Sequence, residues 1–130
     1  MTLGPAQRPV RVLVVDDHAD VRFLVRVILE DAGPGVVFAG EAAGADEALA
    51  RLDAAAPDAV VVDAHMPGAD GVECARRLLA RRPGLAIVLC SGAVDAALRR
   101  RAAAAGIRAC VSKDDLADLP RVVRAVLADG

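Results

Sequence analysis

Five short apolar runs, rich in β-branched residues, recur along the chain with amphipathic segments between them. They are Val10–Val15, Val36–Ala39, Ala59–Asp63, Leu85–Leu89 and Arg108–Val111, and their first residues lie 23 or 26 positions apart. Each interval has room for one strand, one helix and two short loops. The runs are nearly continuously apolar, which is typical of strands covered on both faces. The pattern predicts a parallel sheet with right-handed crossover helices.

The segments between the runs have helical periodicity. In the segment 19–31, Val21, Leu24, Val25 and Ile28 share one face, which we expect to be buried. Phe23 and Val27 lie off that face, and two interpretations remain open: a wide buried stripe, or an exposed docking surface. The other predicted helices cover Ala45–Ala55, Gly71–Arg82, Val94–Ala105 and about Pro120 to Ala128, the last capped by Asp118. The predicted architecture is (βα)5, a three-layer α/β sandwich.

Composition narrows the class of protein. The chain has 130 residues, 55% hydrophobic and 26% charged, with 16 basic against 18 acidic side chains. We expect one domain, residues 10–130, after a short N-terminal tail, residues 1–9. The near-neutral balance argues against both a disordered chain and a duplex-DNA module. No apolar run is long enough to span a membrane, and the first residues lack a secretory signal. Three scattered cysteines favour reduced thiols in a cytoplasmic protein over a zinc or disulfide framework.

Polar side chains gather where the predicted strands end. Asp16 and Asp17 end the first strand, Gly40-Glu41 the second, and Asp63 the third, while Ser91 and Lys113 follow the fourth and fifth. Ligands of open parallel sheets bind outside the carboxyl ends of the strands. The first turn is acidic and has no glycine, unlike a nucleotide-binding loop. Carboxylate oxygens suit Mg²⁺, so a divalent site is predicted from Asp17 and Asp63, with Asp16 nearby.

Lys113 is the single lysine among 16 basic residues, and the other 15 are arginines. A lysine presents a compact point charge, whereas an arginine presents a rigid planar fork. Its place at the end of the last strand suggests a counter-charge to the carboxylate cluster. The competing interpretation is an ordinary surface lysine.

These residues together resemble the receiver domain of bacterial response regulators, the phosphoacceptor modules of two-component signalling. The resemblance runs from about Arg11 to Leu127. It rests on Asp16-Asp17, Asp63, the segment Met66-Pro67-Gly68-Ala69-Asp70-Gly71, Ser91-Gly92 and Lys113, each at the matching strand end. It implies a flavodoxin-like fold, doubly wound, with strand order 2-1-3-4-5.

The resemblance also implies roles. Asp63 would be the phosphoacceptor, a carboxylate nucleophile. Asp17 and Asp63 would hold Mg²⁺, or Mn²⁺, together with the backbone carbonyl of His65, and Asp16 would act largely through a metal-bound water. Lys113 would neutralise phosphoryl oxygens. Ser91 takes the switch position.

The resemblance further implies partners: a histidine kinase or phosphotransfer protein as donor, and an unidentified output protein reached through the last two helices and strand. We expect no catalytic turnover of a separate substrate, no membrane and no direct nucleic-acid contact. A homodimer stays open.

Two positions depart from the family pattern. Cys110 stands where an aromatic ring usually completes the switch, and its small side chain cannot fill that volume. Asp114 follows Lys113 where proline is frequent, so we expect a trans peptide bond there.

Several alternatives remain beside this interpretation. A degenerate receiver would bind partners without phosphorylation. A haloacid-dehalogenase-type phosphatase would need a second aspartate two residues after the first, but His65 follows Asp63 and His18 follows Asp16. A serine hydrolase would need a G-x-S-x-G elbow, but Ser91 lies in Cys-Ser-Gly, which does not match that motif. His18 and His65 could also be ligands of a transition metal. A solvent-facing His18 at the start of the first helix is the simpler expectation.

Overall fold

Five parallel strands and five α-helices alternate along the chain in the computed structural model, which describes residues 8–128. The elements are β1 (Val10–Val15), α1 (Ala19–Asp31), β2 (Val36–Ala42), α2 (Ala45–Ala55), β3 (Ala59–Asp63), α3 (Gly71–Arg81), β4 (Ala86–Ser91), α4 (Ala96–Ala104), β5 (Ala109–Ser112), a 3-10 helix (Lys113–Asp118) and α5 (Leu119–Ala128). The sheet order is β2-β1-β3-β4-β5, and every pair is parallel. The predicted α/β class and strand order are confirmed. Of the predicted tail, residues 1–7 lie outside the described part of the chain.

Both faces of the sheet are buried, as the continuous apolar runs predict. Leu13 and Val15 of β1 belong to a core cluster with side chains from α2, α3 and α4. Val12 and Val14, which point to the opposite face, pack with side chains of α1 and α5. Burying a Val or Leu side chain stabilises a fold by about 1.5–3 kcal/mol, so the two clusters hold the sheet rigidly between its helices. Among the described residues, no helix has the length and apolarity needed to cross a membrane.

One residue of the predicted buried face of α1 lies outside. Val25 and Leu29 are buried and Val21 and Ile28 are half-buried, but Leu24 is 48% exposed. The buried stripe is centred on Val25 and Leu29, at the spacing i, i+4, and Leu24 falls at its edge. Phe23 and Val27 are exposed as well, so the wide-stripe interpretation is wrong and α1 presents an apolar patch.

The sheet extends further toward the functional edge than the sequence predicts. β2 continues to Ala42, because pairing with β1 resumes after an irregularity at Val12/Leu13 that opposes Leu13 to Gly40. That glycine has a φ of 159°, a backbone angle that residues with a side chain rarely adopt. β4 ends at Ser91 and β5 at Ser112, where the two serines are paired. Glu41, Asp63 and Ser91 therefore belong to the sheet itself, which fixes their backbones.

The start of the last helix also differs from the prediction. Asp118 does not begin α5 as a cap, because it lies within the 3-10 helix that leads into Leu119. The hydroxyl of Ser112 accepts a hydrogen bond from the backbone N–H of Asp114 at 3.2 Å, which satisfies one free N–H of that short helix. The peptide bond between Lys113 and Asp114 is trans, as expected, since the described residues contain no cis bond.

Candidate functional site

Three carboxylates meet at the carboxyl edge of β1 and β3. Asp16 and Asp17 follow β1, Asp63 ends the adjacent β3, and one ligand atom from each lies within 4.8 Å of the others and of a ring nitrogen of His18. Asp16 is 3% exposed and Asp63 2% exposed. Because buried like charges repel each other strongly, such a cluster requires a compensating cation.

Lys113 supplies part of that compensation. Its Nζ lies 3.1 Å from Oδ1 of Asp63 and 3.8 Å from Oδ2 of Asp16. Burial by itself would lower the pKa of Lys113, but the hydrogen bond to Asp63 and the charges of Asp63 and Asp16 outweigh burial and raise it. The ammonium is therefore charged at neutral pH, and the interpretation of Lys113 as an ordinary surface lysine is not supported by its contacts.

Two carboxylate oxygens at this edge are buried without a hydrogen-bond partner: Oδ1 of Asp17 and Oδ2 of Asp63. A buried oxygen without a partner costs about 1–3 kcal/mol, and more when it is charged. The three carboxylates and the one ammonium leave two net negative charges, which one divalent cation would neutralise. Hard oxygen ligands with this charge fit Mg²⁺ or Mn²⁺.

The loop after β3 is held close to the sheet by Gly71. Its N–H donates to the carbonyl of Ala64 at 3.0 Å, and the N–H of Ala64 donates to the carbonyl of Cys90 in β4 at 2.8 Å. A Cβ at position 71 would collide with the carbonyl oxygen of Asp63 and approach the Cα of Ala64 at 2.8 Å. Only glycine permits this close return of the chain, which positions the carboxylate of Asp63.

The same loop is fixed at its far end by Asp70. One carboxylate oxygen accepts from the N–H of Glu73 at 2.9 Å and caps α3, while the other lies 3.1 Å from Arg101 of α4. The bond from the Glu73 N–H, assisted by Arg101, lowers the pKa of Asp70 against the opposing effect of burial. The loop is thereby tied to two helices.

Sequence reasoning missed the contact that holds the first turn. Arg22, one turn into α1, donates from Nη1 to the carbonyl of Asp16 at 2.6 Å and from Nε to Glu41 at 2.7 Å. A cation near a helix N-terminus is disfavoured by the helix dipole. That unfavourable placement was the available signal that Arg22 has a specific partner.

The two predicted switch residues have other surroundings. Ser91 is fully buried, and its hydroxyl donates to the carbonyl of Ala93 at 3.0 Å and accepts from the same residue's N–H at 3.2 Å. Cys110 is half-buried and lines a groove of about 340 Å³ with Arg99 and Arg121. Burial raises the pKa of the Cys110 thiol, and Arg99 opposes the shift. The small thiol leaves this groove open.

The two histidines occupy different positions. His65 is exposed, and its backbone N–H donates to Oδ1 of Asp63 at 3.3 Å. His18 precedes α1, and its backbone N–H donates to Oδ1 of Asp16 at 2.8 Å. The His18 side chain is 65% exposed, yet its Nδ1 lies 3.3 Å from oxygens of both Asp16 and Asp17. It is therefore not purely solvent-facing.

Comparison with known proteins agrees with this arrangement. The model of the response regulator receiver domain family matches residues 12–124, so the chain belongs to that family. The response regulator GacA of Pseudomonas viridiflava is 33% identical over 92% of this chain and 56% of its own length. A protein-glutamate methylesterase/protein-glutamine glutaminase of Anaeromyxobacter dehalogenans is 40% identical over 72% of this chain but only 25% of its own length. A phosphoacceptor signalling role fits this family.

Solved structures share the whole fold. The receiver domain of the response regulator NarL from Mycobacterium tuberculosis superimposes with a TM-score of 0.85 at 28% identity, covering 95% of this chain and 99% of that one. The response regulator domain of Thermotoga maritima CheB gives a TM-score of 0.83 at 25% identity, covering 93% and 98%. This chain thus spans the receiver portion of its relatives and a minor part of the methylesterases.

Proposed function

We propose that Asp63 accepts a phosphoryl group in a divalent-metal-dependent reaction, and that the modification changes the chain's contacts with other proteins. One observation carries the proposal. Asp63 is buried at the strand edge, with one oxygen held by Lys113 at 3.1 Å and the other without a partner. A carboxylate fixed by a single cation, with a free lone pair on its second oxygen, is arranged for use as a nucleophile.

The transfer replaces one bond to phosphorus with another. A carboxylate oxygen of Asp63 bonds to phosphorus while the bond from phosphorus to the donor's imidazole nitrogen breaks. The electron pair leaves with that nitrogen, which then takes a proton from water. Lys113 neutralises the negative charge that builds on the phosphoryl oxygens.

Asp16, Asp17, Asp63 and the backbone carbonyl of His65 would hold Mg²⁺, or Mn²⁺. When bound, the ion would supply positive charge that compensates the charge of the phosphoryl oxygens. Arg22 and Glu41 keep the backbone of the Asp16 turn in place for this set. With Mg²⁺ in the site, Asp16 would contribute largely through a metal-bound water.

The response to phosphorylation would run through Ser91 and β5. Ser91 bonds to its own loop through Ala93, so its hydroxyl must leave that bond to reach a phosphoryl oxygen on Asp63. Cys110 leaves the adjoining groove open, so we propose that an output protein reads the state of this groove without an aromatic ring turning into it. The shape of the groove would change when the loop after β4 moves, because Val94 of that loop lines the groove.

The proposed partners follow the family. The donor is a histidine kinase or histidine phosphotransfer protein, the receiver is residues 10–130, and the setting is cytoplasmic, with a homodimer as a further arrangement. The chain would promote only its own phosphorylation and slow dephosphorylation. The alternative of a phosphorylation-independent module is less well supported, because the acidic cluster and Lys113 are both in place.

Intact mass after incubation with Mg²⁺ and acetyl phosphate tests the acceptor. We expect one phosphoryl adduct that requires Mg²⁺ and is absent from Asp63→Asn, whereas the exposed Asp20→Asn on α1 serves as the matched control and keeps it. An adduct that persists in Asp63→Asn would overturn the assignment. No adduct in the wild type, even with a histidine kinase as donor and with no binding of beryllofluoride, would favour the phosphorylation-independent module.

A further inference from the structure

We propose that the imidazole of His18 belongs to the ligand set of this metal site, which therefore binds a transition ion of the zinc class more tightly than Mg²⁺. The inference rests on the metal site of the proposed function and names the ion that this site prefers. The ligands are one imidazole nitrogen and carboxylate oxygens of Asp16, Asp17 and Asp63.

The two distances from the His18 ring nitrogen are those of neighbouring ligands on one ion, and the ligand atoms of the whole set lie within 4.8 Å of one another. Nδ1 of His18 lies 3.3 Å from Oδ1 of Asp16 and 3.3 Å from Oδ1 of Asp17. Two ligands at about 2.0–2.1 Å from one ion are separated by roughly 3.0 Å at octahedral angles and 3.4 Å at tetrahedral angles. The observed distances fall between these values.

The His18 ring nitrogen is hydrogen-bonded to Oδ1 of Asp16 at 3.3 Å, but a hydrogen bond does not account for its nearness to Asp17. Oδ1 of Asp17 is buried without any hydrogen-bond partner although the ring nitrogen is 3.3 Å away. Oδ2 of Asp63, on a side chain that is 1% exposed, is likewise unpartnered. Buried carboxylate oxygens without donors favour a cation beside them, so the cluster is more than a chance grouping of acids.

The donor set determines the class of ion. Mg²⁺ prefers oxygen ligands and keeps several waters, whereas Zn²⁺ accepts imidazole and carboxylate together in a four-coordinate site. One nitrogen and three oxygens provide four ligands, and the cluster's two net negative charges match a divalent ion. Zn²⁺ held by all four would compete directly with Mg²⁺ for the site.

Calorimetric titration of the full chain with Zn²⁺ and, separately, with Mg²⁺ tests the inference without a phosphoryl donor. For the wild type we expect at least tenfold tighter binding of Zn²⁺. In His18→Gln, Zn²⁺ affinity should fall at least tenfold while Mg²⁺ affinity changes less than twofold. His65→Gln removes the chain's other imidazole and keeps its backbone carbonyl, so a loss of Zn²⁺ affinity in that variant alone would overturn the assignment.

Each further outcome decides the question. Equal Zn²⁺ affinity in wild type and His18→Gln would overturn the inference, and so would an equal loss for both ions, since His18 would then act only on the turn. Nitrogen-15 NMR of the wild-type imidazoles avoids any folding defect: Zn²⁺ should shift the ring nitrogen of His18 and leave that of His65 in place. These readouts do not depend on whether Asp63 accepts phosphate, which the mass measurement decides separately.

Discussion

Lys113 acts at the functional edge as a point charge between two carboxylates. Its Nζ lies 3.1 Å from Asp63 and 3.8 Å from Asp16, and nothing larger than an ammonium is needed to make both contacts. A guanidinium is planar and broader, and it directs its donors as a fork. Position 113 therefore requires a compact cation, and a positive charge of any shape is not sufficient.

We predict that Lys113→Arg accepts a phosphoryl group at least about tenfold more slowly than the wild type, a loss that corresponds to about 1.4 kcal/mol of transition-state stabilisation. The planar fork cannot reproduce the position of a single nitrogen 3.1 Å from Asp63 and 3.8 Å from Asp16. The rate of adduct formation with acetyl phosphate and Mg²⁺, followed by intact mass, measures the effect. Arg100→Lys on the exposed surface of α4 is the control for the reverse exchange, and a wild-type rate in Lys113→Arg would contradict the prediction.

The three thiols should differ in reactivity because burial suppresses their ionisation to different extents. Burial raises the pKa of Cys74 to about 11 and that of Cys90 to about 12, while half-buried Cys110 is raised less. At pH 8, a thiol of pKa 12 is ionised in about one molecule in ten thousand, and the thiolate is the reactive form. Cys110 should therefore be alkylated first by iodoacetamide.

Peptide mapping of the folded protein after brief alkylation checks this order, with urea-unfolded protein as the control in which all three react. Raising the pH from 7 to 9 should speed the reaction at Cys110, because more of its thiolate forms. Modification of Cys90 as fast as Cys110 in the folded state would contradict it.

At the residue scale, the meeting of the charged side chains at one edge of the sheet was more predictable than the contacts that hold them there. Asp16, Asp17, Asp63 and Lys113 were predictable because parallel strands bring their carboxyl ends to one edge. The hydrogen bond from Arg22 to the Asp16 carbonyl was not predictable, because it joins a helix to a turn. The Arg22 side chain is also held by a second contact, with Glu41 of β2. The nearness of His18 to both aspartates likewise depends on the turn's conformation, which no periodicity reports.

At the element scale, the loop from β3 to α3 depends on the missing side chain of Gly71. We predict that Gly71→Ala lowers the free energy of unfolding by about 1–3 kcal/mol, the usual cost of forcing extra volume into a packed site. The added Cβ meets backbone atoms of Asp63 and Ala64, which cannot move without displacing β3. Urea denaturation measures the loss.

Gly84→Ala is the matched control, because a Cβ at position 84 meets nothing within 4 Å. Its stability should change little, or rise slightly as the unfolded chain loses freedom. Slower phosphorylation should accompany the instability of Gly71→Ala, since the same atoms position Asp63. An unchanged midpoint for Gly71→Ala would show that the loop can move away without cost.

The helices and strands themselves were predictable from periodicity, and their ends were predictable only in part. The bounds of α1 and α2 were predicted correctly, whereas α4 begins at Ala96, two residues later than predicted. The reason is local: Asp95 accepts from the N–H of Leu98 at 2.8 Å and caps that helix. The 3-10 helix after β5 escaped prediction because six residues show no distinctive period.

At the scale of the whole molecule, an apolar sheet buried on both faces carries at one edge a charge cluster that Lys113 compensates only in part. The apolar runs and their spacing determine the sheet and its covering helices, so the fold was predictable. The charges work against that fold, because three carboxylates and one ammonium leave two negative charges beside the core. Global stability should therefore depend on the occupant of the metal site.

We predict that Asp17→Asn raises the free energy of unfolding in EDTA by on the order of 1 kcal/mol, because it removes a charge whose buried Oδ1 has no donor. Adding Mg²⁺ should reverse the order. A folded-state ligand at 100 times its Kd stabilises by about 2.7 kcal/mol, and Asp17→Asn lacks a ligand for the ion. Urea denaturation with and without Mg²⁺ measures all four values.

The exposed Asp20→Asn distinguishes this effect from a general change in net charge. It should gain no stability in EDTA, because an acidic side chain in the first turn of α1 is favourable, and it should gain as much from Mg²⁺ as the wild type does. A lower stability of Asp17→Asn in EDTA would mean that the carboxylate stabilises the turn through contacts with His18 that outweigh the repulsion. An equal gain from Mg²⁺ in wild type and Asp17→Asn would remove Asp17 from the ligand set. We expect Asp17→Asn to be more stable than the wild type without metal and to gain little stability from Mg²⁺. Both results together require that the Asp17 carboxylate destabilises the metal-free fold and binds the ion.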